Sequence, residues 1–91
     1  MLITLHGQIF RDGNHYISRC HELSIATAGD TVDDALRRTR DMIEGYFAAC
    51  SKAGTLDQIL AKIVPGETKV NLKDLEFTTD FHIQQDFRIA L

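Results

Sequence analysis

Asp30, Asp33 and Asp34 fall within five consecutive residues, and closely spaced carboxylates are the raw material of a two-cation nuclease or a general acid–base pair. A nuclease of that kind needs further carboxylates converging from the middle of the fold, yet the stretch Met1 to Phe10 contains no acidic residue. Acids in the first turn of a helix are favoured by the macrodipole, and that reading of the three aspartates outweighs a metal site. Cys20 and Cys50 are the candidate nucleophiles, but each would need a base beside it. Cys20 precedes His21, and neighbouring strand residues point to opposite faces; His15 differs from Cys20 in parity, and Cys50 lies on an apolar helical stripe. Both thiols therefore read as structural. His6, His15, His21 and His82 show no metal-ligand spacing with the cysteines. Arg37, Arg38, Arg40 and Lys52 are interleaved with acids, which favours a solvated face over an RNA patch, and Gly29 is a lone glycine rather than a phosphate loop. The expectation is a protein that is not an enzyme, with no catalytic residues, no metal ligands and no cofactor.

The aspartates belong to the start of one long amphipathic helix between Gly29 and Gly54. Asp30 and Thr31 can each cap with a side-chain oxygen, Asp34 stands three residues after Thr31 as a short capping-box partner, and Gly54 suits a left-handed C-terminal position. Val32, Ala35, Leu36, Thr39, Met42, Ile43, Tyr46, Phe47 and Cys50 recur at three- and four-residue steps and form one stripe. The opposite face pairs Asp33 with Arg37, Asp34 with Arg38, Arg37 with Asp41 and Arg40 with Glu44 at four-residue spacing. Each such pair contributes only ~0.2–0.5 kcal/mol, against roughly 1.5–3 kcal/mol for each large apolar side chain buried, so packing holds the helix.

That stripe must lie on a sheet. Leu2 to Phe10 alternates as a strand with Ile3, Leu5 and Ile9 on one side, and Gly7 on that side marks close packing or a bulge. Arg11-Asp12-Gly13-Asn14 is a hairpin signal, His15 to Cys20 a second strand and Ser24 to Ala28 a third. After the helix, Thr55 can cap a second, shorter one with Leu56, Ile59, Leu60 and Ile63 on one face, ended by Pro65-Gly66. Thr68 to Leu72 reads as a short extended piece. From Leu75 through Phe77, Thr79, Phe81, Ile83, Phe87 and Ile89 a single parity persists, a strand that either bends near Thr78-Thr79-Asp80 or projects beyond the domain. A long apolar terminal strand is a liability unless its edge is paired, so it is expected to pair within the sheet and also across a dimer. The fold class is α+β, an antiparallel sheet in the order β-β-β-α-(α)-β with the long helix on one face.

The 91 residues make one small domain, 1–91, of ordinary composition, with 44% hydrophobic and 25% charged residues. A core this small is marginal alone, which adds weight to self-association. The net charge of -3 gives no electrostatic ground for nucleic acid and fits a basic protein partner better. Neither a secretory signal nor a membrane span is visible, and two cysteines suit a reducing cytoplasm.

The run Tyr16-Ile17-Ser18-Arg19-Cys20-His21-Glu22-Leu23, followed by Ala26-Thr27-Ala28-Gly29-Asp30-Thr31-Val32-Asp33-Asp34-Ala35-Leu36, resembles the HicB-like antitoxin family. That family commonly shows a strand ending in Cys-Pro-Glu-Leu, a short strand, then Gly-Asp-Thr and an acidic pair before Ala-Leu; the match in element order covers roughly Leu2 to Cys50. The resemblance implies a partial ribonuclease-H-like fold without catalytic carboxylates, an inhibitor that covers a small basic HicA-like ribonuclease toxin, and assembly as a dimer or higher oligomer. The chain departs from the pattern at His21, which stands where the family has proline, and beyond Leu60, where no helix-turn-helix of usual size fits, so autonomous DNA binding is not expected. Asp30, Asp33, Asp34 and Glu44 are the expected partner-binding residues, by charge complementarity to a basic toxin. The alternatives are a stand-alone RNA-binding or vestigial ribonuclease-H-like module, and an orphan oligomeric structural domain.

Overall fold

The computed structural model describes residues 1–64, 66 and 70–84. Its elements run β1 (Leu2–Asp12), β2 (His15–Cys20), β3 (Ile25–Gly29), α1 (Val32–Ala53), α2 (Leu56–Ile63), a single 3-10 turn (Leu72–Asp74) and β4 (Glu76–Gln84). The class is α+β as the pattern predicts, and the four strands form one sheet in the order β3-β2-β1-β4. The sheet is mixed rather than antiparallel throughout. β1, β2 and β3 form an antiparallel meander, but β4 returns beside β1 in parallel register, from Leu2 opposite Glu76 to Phe10 opposite Gln84. The physical reason is the long connection: a helix between β3 and β4 carries the chain back across the sheet, as parallel pairing requires.

β1 is the axis of this arrangement. Its odd positions Ile3, Leu5, Gly7 and Ile9 are buried beneath the helices, while Leu2, Thr4 and His6 are exposed on the uncovered face. Gly7 resolves to close packing: a Cβ there would lie 2.2 Å from the Arg19 carbonyl oxygen and 2.6 Å from the Phe81 ring. The hairpin turns through Gly13 at φ 63° between Asp12 and His15. β3 begins at Ile25 because Ser24 takes a positive φ of 54°, and it runs one residue further than its apolar alternation suggests, to Gly29.

The stripe of α1 buries Ala35, Thr39, Ile43, Phe47 and Cys50, whereas Met42 on its border remains 43% exposed. Of these, Ile43, Phe47 and Cys50 join Ile3, Leu5 and Cys20 of the sheet and Leu56 and Leu60 of α2 in one core. Phe47 meets Phe77 of β4 edge-on with ring centroids 6.0 Å apart. The polar core residue Thr39 returns its hydroxyl to the Ala35 carbonyl at 2.9 Å. At the helix end Gly54 adopts φ 77° and Thr55 donates its N–H to Cys50 O at 2.9 Å, as the sequence anticipates for a left-handed stop.

Two details differ from the sequence reading. Thr55 occupies the N-cap position of α2 without a capping bond, because its hydroxyl contacts the Cys50 carbonyl at 3.4 Å instead. In the proposed extended piece from Thr68 to Leu72, residues 68–69 lie outside the described set, and Leu72 starts a 3-10 turn. The part of the terminal strand reading that falls on residues 85–91, and Pro65 as helix stop, also lie outside the described residues.

Candidate functional site

The acidic first turn of α1 is shaped by hydrogen bonds that begin at the β3–α1 junction. Thr31 has extended backbone angles, and its hydroxyl accepts the Asp34 N–H at 3.0 Å. The reciprocal bond of the capping box slips by one residue: the Asp34 carboxylate accepts from the Asp30 N–H at 3.2 Å rather than from Thr31. The same carboxylate pairs with Arg37 at 2.5 Å and with Arg38 Nε at 3.2 Å. The Asp30 amide first, and then the Arg37 guanidinium, hold the Asp34 carboxyl below its ordinary value of 3.8. Asp34 is therefore an organiser of the turn, its charge already met by two arginines.

The other expected partner-binding residues sit differently. Asp30 is 86% exposed at its side chain, with His15 Nδ1 3.6 Å away, and borders a shallow recess with Ala28, Gly29 and Arg38. Asp33 is exposed and, among the described residues, makes no ion pair. Glu44 lies three turns further on, roughly 15 Å along the helix axis from Asp34 by the rise of an α-helix. The structure thus brings Asp30, Asp33 and Asp34 together and leaves Glu44 apart from them.

Glu44 lines a groove of about 620 Å³ between α1 and β4, with Arg40 on the helix and Leu75 to Thr79 along the strand. The expected Arg40–Glu44 pair is not formed there; Arg40 Nε instead donates to Thr79 Oγ1 at 3.2 Å. Four-residue spacing sees only neighbours on the same helix, and Thr79 arrives from a strand that the spacing does not include.

A second polar cluster lies on the uncovered face of the sheet, where no side-chain pattern announced it. β2 leaves β1 after Cys20, and the Glu22 carboxylate takes over the vacated ladder position: one oxygen accepts the His6 N–H at 2.8 Å and the other contacts His6 Nδ1 at 2.7 Å. His6 stands opposite Asp80 of β4. The Glu22 bond chiefly raises the His6 pKa above 6.5. Desolvation pushes Glu22 upward, but its bonds to the His6 ring and amide outweigh this and leave it below 4.5. Glu22 belongs to the run that carries the family resemblance; the signal was present, but its partner sits in a different strand. Burial pushes the neighbouring Cys20 thiol up, which keeps it protonated and a poor nucleophile. Cys20 and Cys50 are both buried free thiols.

Among the described residues, no three His, Cys, Asp or Glu side chains are grouped to hold a metal ion. None of the described helices is long and apolar enough to cross a membrane. Comparison of the chain with known protein families, curated proteins and solved structures returns no match.

Proposed function

We propose that this chain is a non-catalytic, HicB-like antitoxin-type protein that binds and neutralises a small, basic, HicA-like ribonuclease toxin in the cytoplasm. The observation that carries the reading is the motif at the β3–α1 junction: Gly29, Asp30, Thr31 and the acidic pair Asp33 and Asp34 before Ala35-Leu36. The geometry gives those residue types separate work. Gly29 admits the backbone of the first turn, Thr31 caps it, Asp34 clamps it, and Asp30 and Asp33 remain exposed. A meander of three antiparallel strands, a helix and a fourth strand parallel to the first is compatible with a partial ribonuclease-H-like fold. Exposed aspartates with net charge -3 suit a basic partner, drawing it in by long-range attraction that salt weakens.

The test is titration of the purified chain, at low salt, against the product of a neighbouring reading frame that encodes a small basic protein, with RNA cleavage by that product as the second readout; absence of any such reading frame counts against the function. The expected result is binding that abolishes cleavage. Replacing Asp30, Asp33 and Glu44 by lysine together lowers the affinity, while Asp34 is left in place because it holds the helix start. Unchanged affinity in the triple variant rejects the acidic surface as the contact, and absence of binding by the unmodified chain rejects the function.

A further inference from the structure

We infer that the groove between α1 and the outer edge of β4 takes an extended segment of a partner protein, laid antiparallel to β4, in which an acidic residue precedes a basic one by two positions. The backbone supplies the template. The Glu76 N–H donates to Met1 O at 2.8 Å, so in the parallel ladder Glu76 and Thr78 turn their backbone groups to β1. Phe77 and Thr79 therefore turn their N–H and C=O groups outward, and among the described residues no strand lies beside them. Strand addition at a sheet edge takes affinity from such groups and specificity from the side chains around them.

The helix wall of the groove carries the charge pattern. Arg40 and Glu44 stand at the four-residue spacing that pairs opposite charges, yet Arg40 Nε donates to Thr79 Oγ1 at 3.2 Å. Among the described residues neither side chain has an ion-pair partner, so both charges border the groove unneutralised. α1 runs opposite to β4: Arg40 meets Thr79, and Phe47, further along the helix, meets Phe77, earlier in the strand. Glu44 accordingly stands on the Leu75 side of Arg40. Four residues of helix rise about 6 Å, and two residues of an extended chain span about 6.6 Å. The two charges thus match successive same-side residues of a strand laid beside β4.

Antiparallel addition, the more stable of the two directions, sets their order. The segment passes Thr79 first and Phe77 second. Its acid then lies beside Thr79 at the Arg40 guanidinium, and its base runs its stem along the Phe77 ring with its head at Glu44. The next residue on that side meets Leu75 and is apolar. Parallel addition would demand the reverse, base before acid.

The inference does not depend on the toxin-binding reading, because it is tested with synthetic peptides and the purified chain alone. The probes are two end-blocked hexapeptides of one composition, Thr-Glu-Val-Lys-Thr-Leu and Thr-Lys-Val-Glu-Thr-Leu. Titration followed by nuclear magnetic resonance should show the first binding roughly tenfold or more tighter than the second, with shifts centred on the Phe77 and Thr79 amides and slower exchange at both. The double variant Arg40→Glu with Glu44→Arg changes only exposed side chains, so it should unfold cooperatively and invert the preference. Absence of binding by either peptide overturns the inference. So does equal binding of the two, a preference of the unmodified chain for the second, or a preference that survives the double exchange. A chain that excludes both peptides while light scattering gives a dimer mass overturns it as well, since a second copy then occupies the edge.

Discussion

The two edges of the sheet face the same hazard and meet it differently. β3 is five residues long and ends in Gly29, from which only Asp30 and Thr31 separate it from α1. A Cβ at Gly29 would lie 2.5 Å from the Ala35 nitrogen and 2.8 Å from its Cα, so the helix backbone presses directly on the strand end. β4 is nine residues long, its helix-side residues Phe77, Thr79 and Phe81 are only half-buried, and a groove separates its edge from α1. One edge is closed by shortness and by continuity with the helix that follows; the other, among the described residues, has no strand beside it. The contrast locates stability at the β3 side and availability for a partner strand at the β4 side.

Breaking the close approach at β3 should have the largest effect. Gly29→Ala forces backbone atoms apart at the β3–α1 junction, and overpacking of this kind costs about 1–3 kcal/mol. For a domain of this size each kcal/mol moves Tm by roughly 4–8 °C, so thermal unfolding followed by circular dichroism should show a clear fall. Gly7→Ala should cost a similar amount through a different lesion. Its Cβ meets the rigid Arg19 carbonyl of β2 as well as the yielding Phe81 ring, so amide exchange should rise in β1, β2 and β4. With Gly29→Ala, the rise should instead start at β3 and the first turn of α1. Identical exchange maps for the two variants would erase the distinction between the edges.

A smaller effect is expected from Thr31→Ala, which removes the hydroxyl that accepts the Asp34 N–H. Loss of such a cap costs about 1 kcal/mol. The variant should unfold at a slightly lower urea midpoint with the same slope, and exchange should rise in the first turn of α1 while β4 amides keep their protection until global unfolding. An equal change along β4 would mean that the helix start and the open edge form one cooperative unit.

Much of this organisation was legible in the chain. Helix signals work over three or four residues, so Thr31, Gly54 and the stripe from Ala35 to Cys50 could be placed from spacing alone. Alternation likewise gave the buried face of β1 and most of the helix-side face of β4. It could not give the direction of β4. A period of two reports that one face of the sheet is uncovered, and an uncovered face is the habit of antiparallel sheets; here it accompanies a parallel pair because only the helix side is layered. The site divided in the same way. Asp34 was legible as a capping residue because its partners are within four positions, whereas Arg40 with Thr79, and Glu44 with the groove, depend on a strand more than thirty residues away. Charge spacing along a helix names candidate ion pairs but does not choose among the acceptors that folding brings in.

The smallest expected effect concerns the uncovered face, where Glu22 and Asp80 bring negative charge to His6 from the two sides of β1. His6 has its pKa raised in the folded state, so its contribution is fully present below 6.5 and is lost as pH rises through the folded value. Glu22 has its pKa lowered, so its contribution is present above 4.5 and is lost as pH falls through the folded value. The pair therefore stabilises most between 4.5 and 6.5, with a decline on either flank. The side chain of His6 is 55% exposed, and exposed pairs contribute little, so the flanks should be shallow and flatten further in salt. Glu22→Gln should remove the acid flank and most of the alkaline one from a plot of Tm against pH, because it takes away the carboxylate and the chief cause of the His6 shift. Asp80→Asn should trim only the alkaline flank, since Asp80 acts on His6 by charge alone. If Asp80→Asn instead matched Glu22→Gln, the open β4 edge would be clamped to β1 as firmly as β2 is, and the asymmetry between the two sides of the sheet would lose its electrostatic part.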